Sequence, residues 1–307
     1  MTSSQLRIGF LVLLIAAVSG IFMALRDDDS TSTEKTYRAY FSRDYNVYAL
    51  DLPDAPNLAG EPVPLGDFEV AERLDRELLV NTYWQSNGLL LIKRAAKYFP
   101  IIEPILAEEG IPNDFKYLAL AESGMQHIVS PAGAAGIWQI MKGTGQEYGL
   151  EVRDDVDERY HIEKATRVAC AYLREAHSKF GSWTLAAASY NMGMNGLERR
   201  LESQGVSNYY DLLLNSETSR YVFRIIALKE LLSHPEGYGF HYDDRHLYNL
   251  PETRGYRVDT SIADLAVWAQ SLGSNYKMLK TLNPWLRSNE LKLRTDEAYT
   301  LQLPAPK

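Results

Sequence analysis

The chain has 307 residues, 46% of them hydrophobic and 11% aromatic, a globular composition that excludes disorder over most of its length. A formal net charge of −8 argues against a general nucleic-acid or anionic-membrane binder, since both need a broad basic surface. The one cysteine, Cys170, excludes an intramolecular disulfide and a cysteine-ligated zinc fold; lying in an apolar helical pattern, it is expected to be a small buried residue.

In chain order, Arg7 precedes an uncharged run from Ile8 to Leu25 in which only Ser19 is polar, followed by Arg26 and three aspartates. This run is about long enough to span a bilayer and exceeds the core of a cleaved signal, so an uncleaved N-terminal anchor helix (residues 1–25) is favoured over a cleaved signal peptide. Either route exports the rest of the chain. Residues 26–75 are polar and proline-bearing and read as a stalk that packs little. From 76 to 235 apolar residues recur at three- and four-residue steps. Helices are expected over Glu77–Trp84, Leu89–Phe99, Ile101–Glu109, Asp114–Ser123, Ile162–Phe180, Trp183–Tyr190, Asn195–Gln204 and Thr218–Ser233. Gly110, Gly181 and Gly205 each follow a helix where a left-handed residue is wanted. After a linker, 236–254, the pattern changes to strand-like pieces flanking two short helical runs, Ile262–Leu272 and Tyr276–Asn283, which reads as a βααβ module over 255–305. The fold class is therefore mainly α with a small βααβ C-terminal domain.

The stretch "KYLALAESGMQHIVSPAGAAGIWQIMKGTG" carries the chemistry. In a helix from Asp114, Glu122 stacks with Phe115, Leu118 and Ala119, and Asn113 or Asp114 supplies the helix start after Pro112. A carboxyl desolvated in this way has a raised pKa and stays protonated near neutrality, as a general acid must. The structural alternative is a buried glutamate paired with a cation. Against it stand Gly124, Gly133 and Gly136, which let backbone approach a ligand, and Trp138 and Gln139, a flat apolar face and a hydrogen-bonding amide. From the residues alone, Tyr190, Asn191 and Tyr221 fit ordinary packing as well as they fit a site.

The segments "ALAESGM", "SPAGAAGIWQIMKGTGQEYGL", "AAASYNMG" and "SETSRYVFRIIAL" resemble, in order and spacing, the lytic murein transglycosylases with a goose-lysozyme-like SLT domain, most of all the membrane-bound D type. The resemblance covers about Lys93 to Leu232. It implies a lysozyme-like (goose-type) catalytic domain with Glu122 as catalytic acid and Ser123 hydrogen-bonded near it and the substrate. It also implies a groove lined by Gln139, Tyr190 and Asn191 orienting the acid and the sugar's N-acetyl group, and Tyr221 reaching back to the cleft. Trp138 stands where the family more often has methionine and would supply a stacking face. The implied reaction is cleavage of the β-1,4 bond between N-acetylmuramic acid and N-acetylglucosamine in peptidoglycan strands. Glu122 serves as acid and then base, the sugar's acetamide assists, and a 1,6-anhydro product forms, with no cofactor and no metal. The terminal module resembles a LysM domain with a divergent first loop, Val258 to Ile262. The expected location is the periplasmic side of the cell envelope, anchored by residues 8–25. A goose-type muramidase, which would need an aspartate to hold water, and a non-catalytic wall-binding protein are the alternatives.

Other patterns are weaker. His241, Asp243, Asp244 and His246 read as a solvated turn rather than a metal site, Ser274 to Lys277 matches a serine-x-x-lysine pattern by chance, and "DDVDERYHIEKAT" reads as a structural acidic loop before a helix.

Overall fold

The computed structural model describes residues 46–305. The expected anchor, Ile8 to Leu25, lies outside the described residues, and among those described no helix is long and apolar enough to cross a membrane. The chain divides between Ala49 and Leu50. From Leu50 on, a short hairpin, β1 (Asn57–Leu58) and β2 (Glu61–Pro62), leads into α1 (Phe68–Tyr83), α2 (Gln85–Glu108), α3 (Phe115–Ser123) and α4 (Lys142–Glu147). Helices α5 (Ile162–Phe180), α6 (Trp183–Met192), α7 (Met194–Gln204) and α8 (Thr218–Ser233) complete the helical part.

The latter part of the expected stalk packs, contrary to the expectation. Leu58, Val63, Val70 and Leu74 are buried, because the apolar residues scattered among its prolines converge on the helical core. Asp67 caps α1 by accepting the backbone N–H of Glu69 at 2.9 Å. The expected break between Phe99 and Ile101 is absent, and α2 runs through Pro100 and Pro104. Both prolines are exposed, so water can serve the carbonyls they leave unpaired while Ile102, Ile105 and Leu106 anchor the helix in the core. Helix α5 buries Ala165, Val168, Ala169, Leu173 and Ala176 as its periodicity predicts, with Cys170 fully buried and its thiol pushed up to about 12 by that burial. Gly110, Gly181 and Gly205 are left-handed, at φ 68°, 68° and 67°.

Asp114 starts α3 but does not cap it. Its Oδ2 instead accepts the Ala59 backbone N–H and Lys229 Nζ, each at 2.7 Å, tying the hairpin and α8 to this helix. Glu61, on the other side of the hairpin, does the capping for α6. Its carboxylate accepts the N–H groups of Trp183 and Thr184 and the hydroxyls of Ser182 and Thr184. These hydrogen bonds outweigh its partial burial and hold its pKa below the usual range.

The C-terminal module is a βααβ unit, as expected: β3 (Thr253–Val258), α9 (Leu265–Ser271), α10 (Tyr276–Leu282) and β4 (Tyr299–Pro304). The two strands pair antiparallel, from Thr253 opposite Pro304 to Val258 opposite Tyr299. Its core of Leu265, Ala269, Leu279, Trp285, Leu301 and Leu303 is continuous with Ala135, Val156 and Tyr160 of the helical part. The acidic stretch before α5 makes this junction. Val156 bridges Leu286, the Asp157 N–H donates to Trp285 O (2.9 Å), and the Arg287 N–H donates to Asp155 O (2.8 Å). Arg153 lies among Glu151, Asp155 and Glu297, and Tyr299 donates its hydroxyl to Glu151.

Candidate active site

Helix α3 places Glu122 next to its own end, where Gly124 turns left-handed (φ 58°) and releases the chain into the loop 125–141. Leu118, Ala119 and Leu120 are buried around it, and Glu122 itself is half-buried. Desolvation pushes its pKa up to about 7; a hydrogen bond from the Tyr221 hydroxyl and the nearby Arg224 charge oppose that rise, and the Glu217 charge adds to it. At neutral pH the carboxyl is therefore shared between acid and base forms, the condition under which one group can both give and take a proton.

The loop beyond is held by its own backbone and by Arg159. Residue 136 must be glycine: at φ 80°, a Cβ there would lie 2.0 Å from Arg159 O. The Arg159 guanidinium pairs with Asp157 at 2.7 Å and donates to Gly133 O (2.9 Å) and Ile140 O (3.2 Å). Asp157 thus acts on the site indirectly, through the arginine that shapes this loop. Ser123 Oγ is buried and donates to Ile137 O at 2.8 Å, fastening the loop to α3. Gln139, at φ 47°, spends its amide N–H groups on Gly136 O (2.7 Å) and Ile128 O (3.1 Å).

Trp138 does not offer a stacking face. It is fully buried and donates its indole N–H to Thr166 Oγ1 of α5 at 2.8 Å. A ring with so much apolar area gains most when wholly removed from water, provided that its N–H finds a partner, and Thr166 supplies one. The apolar surface open beside Gln139 belongs instead to Ile128 and Val129, 41% and 59% exposed.

Tyr190 and Asn191, near the end of α6, face α3 and α8. The Tyr190 hydroxyl donates to Trp138 O at 2.8 Å, and burial followed by the Glu122 charge raises its pKa well above the ordinary value. Asn191 Oδ1 accepts the Thr218 hydroxyl at 2.8 Å, and its amide reaches Glu217 Oε1 at 3.4 Å. Tyr221 is buried and bonded to Glu122, with its own pKa raised strongly by desolvation and then by that carboxyl. The expected residues therefore converge, except that Ser123 and Trp138 act from within the protein.

Two contributors lay outside the expected set. Glu217 and Arg224 act on Glu122 by charge, and with Tyr221 they stand at i, i+4 and i+7 along the start of α8, a spacing that marks one helix face. Arg224 also lies 3.7 Å from Glu77, a buried carboxylate that Arg220 holds at 2.7 Å, so its charge is divided between two acids. Among the described residues no group of three or more His, Cys, Asp or Glu is placed to hold a metal. Glu122 and its neighbours supply proton transfer and hydrogen bonding.

A mainly helical body with one desolvated acid at the end of a short helix, followed by a fixed βααβ module, has a counterpart among known domains. Residues 99–213 match the family model described as the transglycosylase SLT domain, and residues 254–307 match the soluble lytic transglycosylase C-terminal LysM-like domain. The chain carries an SLT domain followed by a LysM-like domain. It is 29% identical over 206 residues to membrane-bound lytic murein transglycosylase D of Escherichia coli K12, covering 64% of this chain and 44% of that protein, and equally so to the protein of that name in Escherichia coli O6:H1. The chain thus spans under half the length of these curated relatives. Among solved structures, it is similar to the 70 kDa soluble lytic transglycosylase SLT70 of Escherichia coli (21% identity, TM-score 0.38, 46% of this chain and 24% of that one). It is also similar to an inactive mutant of the lytic transglycosylase Slt from Pseudomonas aeruginosa (19%, TM-score 0.36, 48% and 26%).

Proposed function

We propose that this protein is a peptidoglycan lytic transglycosylase with a lysozyme-like catalytic domain, acting at the periplasmic side of the cell envelope and attached to the membrane through residues 8–25. The observation that carries the reading is the Glu122 carboxyl, poised at about 7 by burial and touched by the Tyr221 hydroxyl. Protonated, Glu122 gives its proton to the β-1,4 glycosidic oxygen between N-acetylmuramic acid and N-acetylglucosamine. The acetamide of the muramyl residue supports the charge that grows at C1, and Tyr190 and Asn191 orient the group. As a carboxylate steadied by Tyr221, Glu122 then takes the proton of the same sugar's 6-hydroxyl, which closes on C1 to give 1,6-anhydromuramic acid. Tethering of that hydroxyl to the reacting ring supplies the proximity a second protein carboxylate would otherwise have to provide. Gln139, Ile128 and Val129 offer polar and apolar surface for the glycan, and the LysM-like module extends the wall-binding surface.

Hydrolysis by a muramidase is the second reading, and Glu217 favours it: an exposed carboxylate close enough to Glu122 to raise its pKa is also a place to hold water. Mass spectrometry of digested sacculi decides between them. Anhydro ends support transglycosylation, reducing ends support hydrolysis, and intact strands overturn both.

A further inference from the structure

Four cations gather where the helical part meets the C-terminal module, and none has a carboxylate within ion-pair distance among the described residues. Arg94 and Lys97 stand one turn apart on α2, and Arg94 reaches Gly124 O (3.4 Å), the residue that closes the Glu122 helix. Lys97 lies over the Tyr98 ring, Tyr98 meets His127 edge-on at 6.0 Å, and His127 lies 6.0 Å from Tyr160. Arg287 of the module covers the other ring neighbour, its guanidinium 4.2 Å from the Tyr160 centroid. Lys280 completes the strip and donates to Ser288 O at 2.8 Å. The nearby acids are engaged: Asp155 holds Arg153 and the Lys292 N–H, and Glu290 holds Lys292.

The crowding is physical. Burial and then the charges of Lys97 and Arg287 press His127 down to about 4, so it stays neutral with a buried Nδ1 that has no hydrogen-bond partner. Burial and then Arg287 press Lys280 down to about 8. Like charges assembled without counter-charges destabilise a fold and attract an anion. In a chain of net charge −8, this strip begins at the end of the Glu122 helix and runs onto the module.

We propose that the strip of Arg94, Lys97, Arg287 and Lys280 binds carboxylates of the peptide stems attached to the glycan whose sugars occupy the Glu122 site. The inference rests on the peptidoglycan reading and deepens it: the enzyme recognises peptide-bearing strands, and the fixed module supplies half of that recognition.

The test is the double variant Lys97→Gln/Arg287→Gln on two substrates, uncrosslinked peptide-bearing strands and the same strands freed of peptide by an amidase, which leaves only lactyl carboxylates. Loss of these two charges should raise KM for peptide-bearing strands about tenfold and flatten its salt dependence. The kcat, and all kinetics on peptide-free strands, should stay unchanged. Lys97→Arg/Arg287→Lys should restore KM, which a merely structural loss at Tyr160 would not allow. An unchanged KM, or an equal rise on both substrates, overturns the proposal; the latter assigns the strip to the lactyl carboxylate. If the wild-type protein cleaves neither substrate, the functional reading fails, and sedimentation of each variant with peptide-bearing sacculi still reports on the strip.

Discussion

Tyr221 donates its hydroxyl to Oε1 of Glu122 across a sequence separation of 99 residues, joining the last long helix of the helical part to the third. A hydrogen bond to a carboxylate favours the charged form, so this contact lowers a pKa that burial alone would carry higher. Tyr221→Phe should therefore raise the Glu122 pKa by roughly one unit. The alkaline limb of the pH–rate profile, which reports loss of the acid form, should move to higher pH.

Glu217→Gln should do the opposite. Removal of a neighbouring negative charge lowers the cost of ionising Glu122, so the alkaline limb should move to lower pH. If Glu217 holds a hydrolytic water, the same variant should also lower the fraction of reducing ends among the products. Opposite displacements of the limb in the two variants would identify Glu122 as the titrating group.

Glu122→Gln should abolish cleavage and stabilise the fold. A carboxyl raised to about 7 holds its proton in the native state between its ordinary value of 4.5 and about 7, so the native state binds more protons than the unfolded one in that window. Stability then falls as pH rises through the window, by about 3 kcal/mol in all. Urea denaturation should find the variant more stable by up to about 3 kcal/mol at pH 8, with the gain vanishing below about pH 4.5.

Arg153→Ala should loosen the C-terminal module. Its guanidinium contacts Glu151, Asp155 and Glu297 at 2.8, 2.7 and 3.3 Å and donates to Lys292 O at 2.8 Å. Truncation leaves three crowded carboxylates and should cost on the order of 3 kcal/mol. Denaturation followed by fluorescence of Trp268 and Trp285 should show the module unfolding before the helical part.

Much of this architecture was legible because periodicity is local. The α5 face, the three left-handed glycines and the βααβ order all follow from residue spacing, and the acid of the site announces itself as a lone carboxylate on an apolar helix. What could not be read was direction. Nothing in "GIWQI" says that Trp138 turns inward to Thr166 while Ile128 and Val129 stay in water, since that choice is made by a loop pinned through Arg159. The expected break fell at Pro100, yet that proline lies on the wet face, where a missing N–H costs little. Asp114 looked like a cap and became a tie to the hairpin, a long-range use that local pattern does not encode.

That hairpin has reach beyond its size. Through Asp114 it grips the start of the helix that ends at Glu122, and through Glu61 the start of the helix that ends beside Tyr190 and Asn191. Six residues far upstream thereby set the pitch of two levers whose far tips meet at the acid. A fragment cut to 99–213 keeps both levers and loses their fulcrum, together with Glu217, Tyr221 and Arg224.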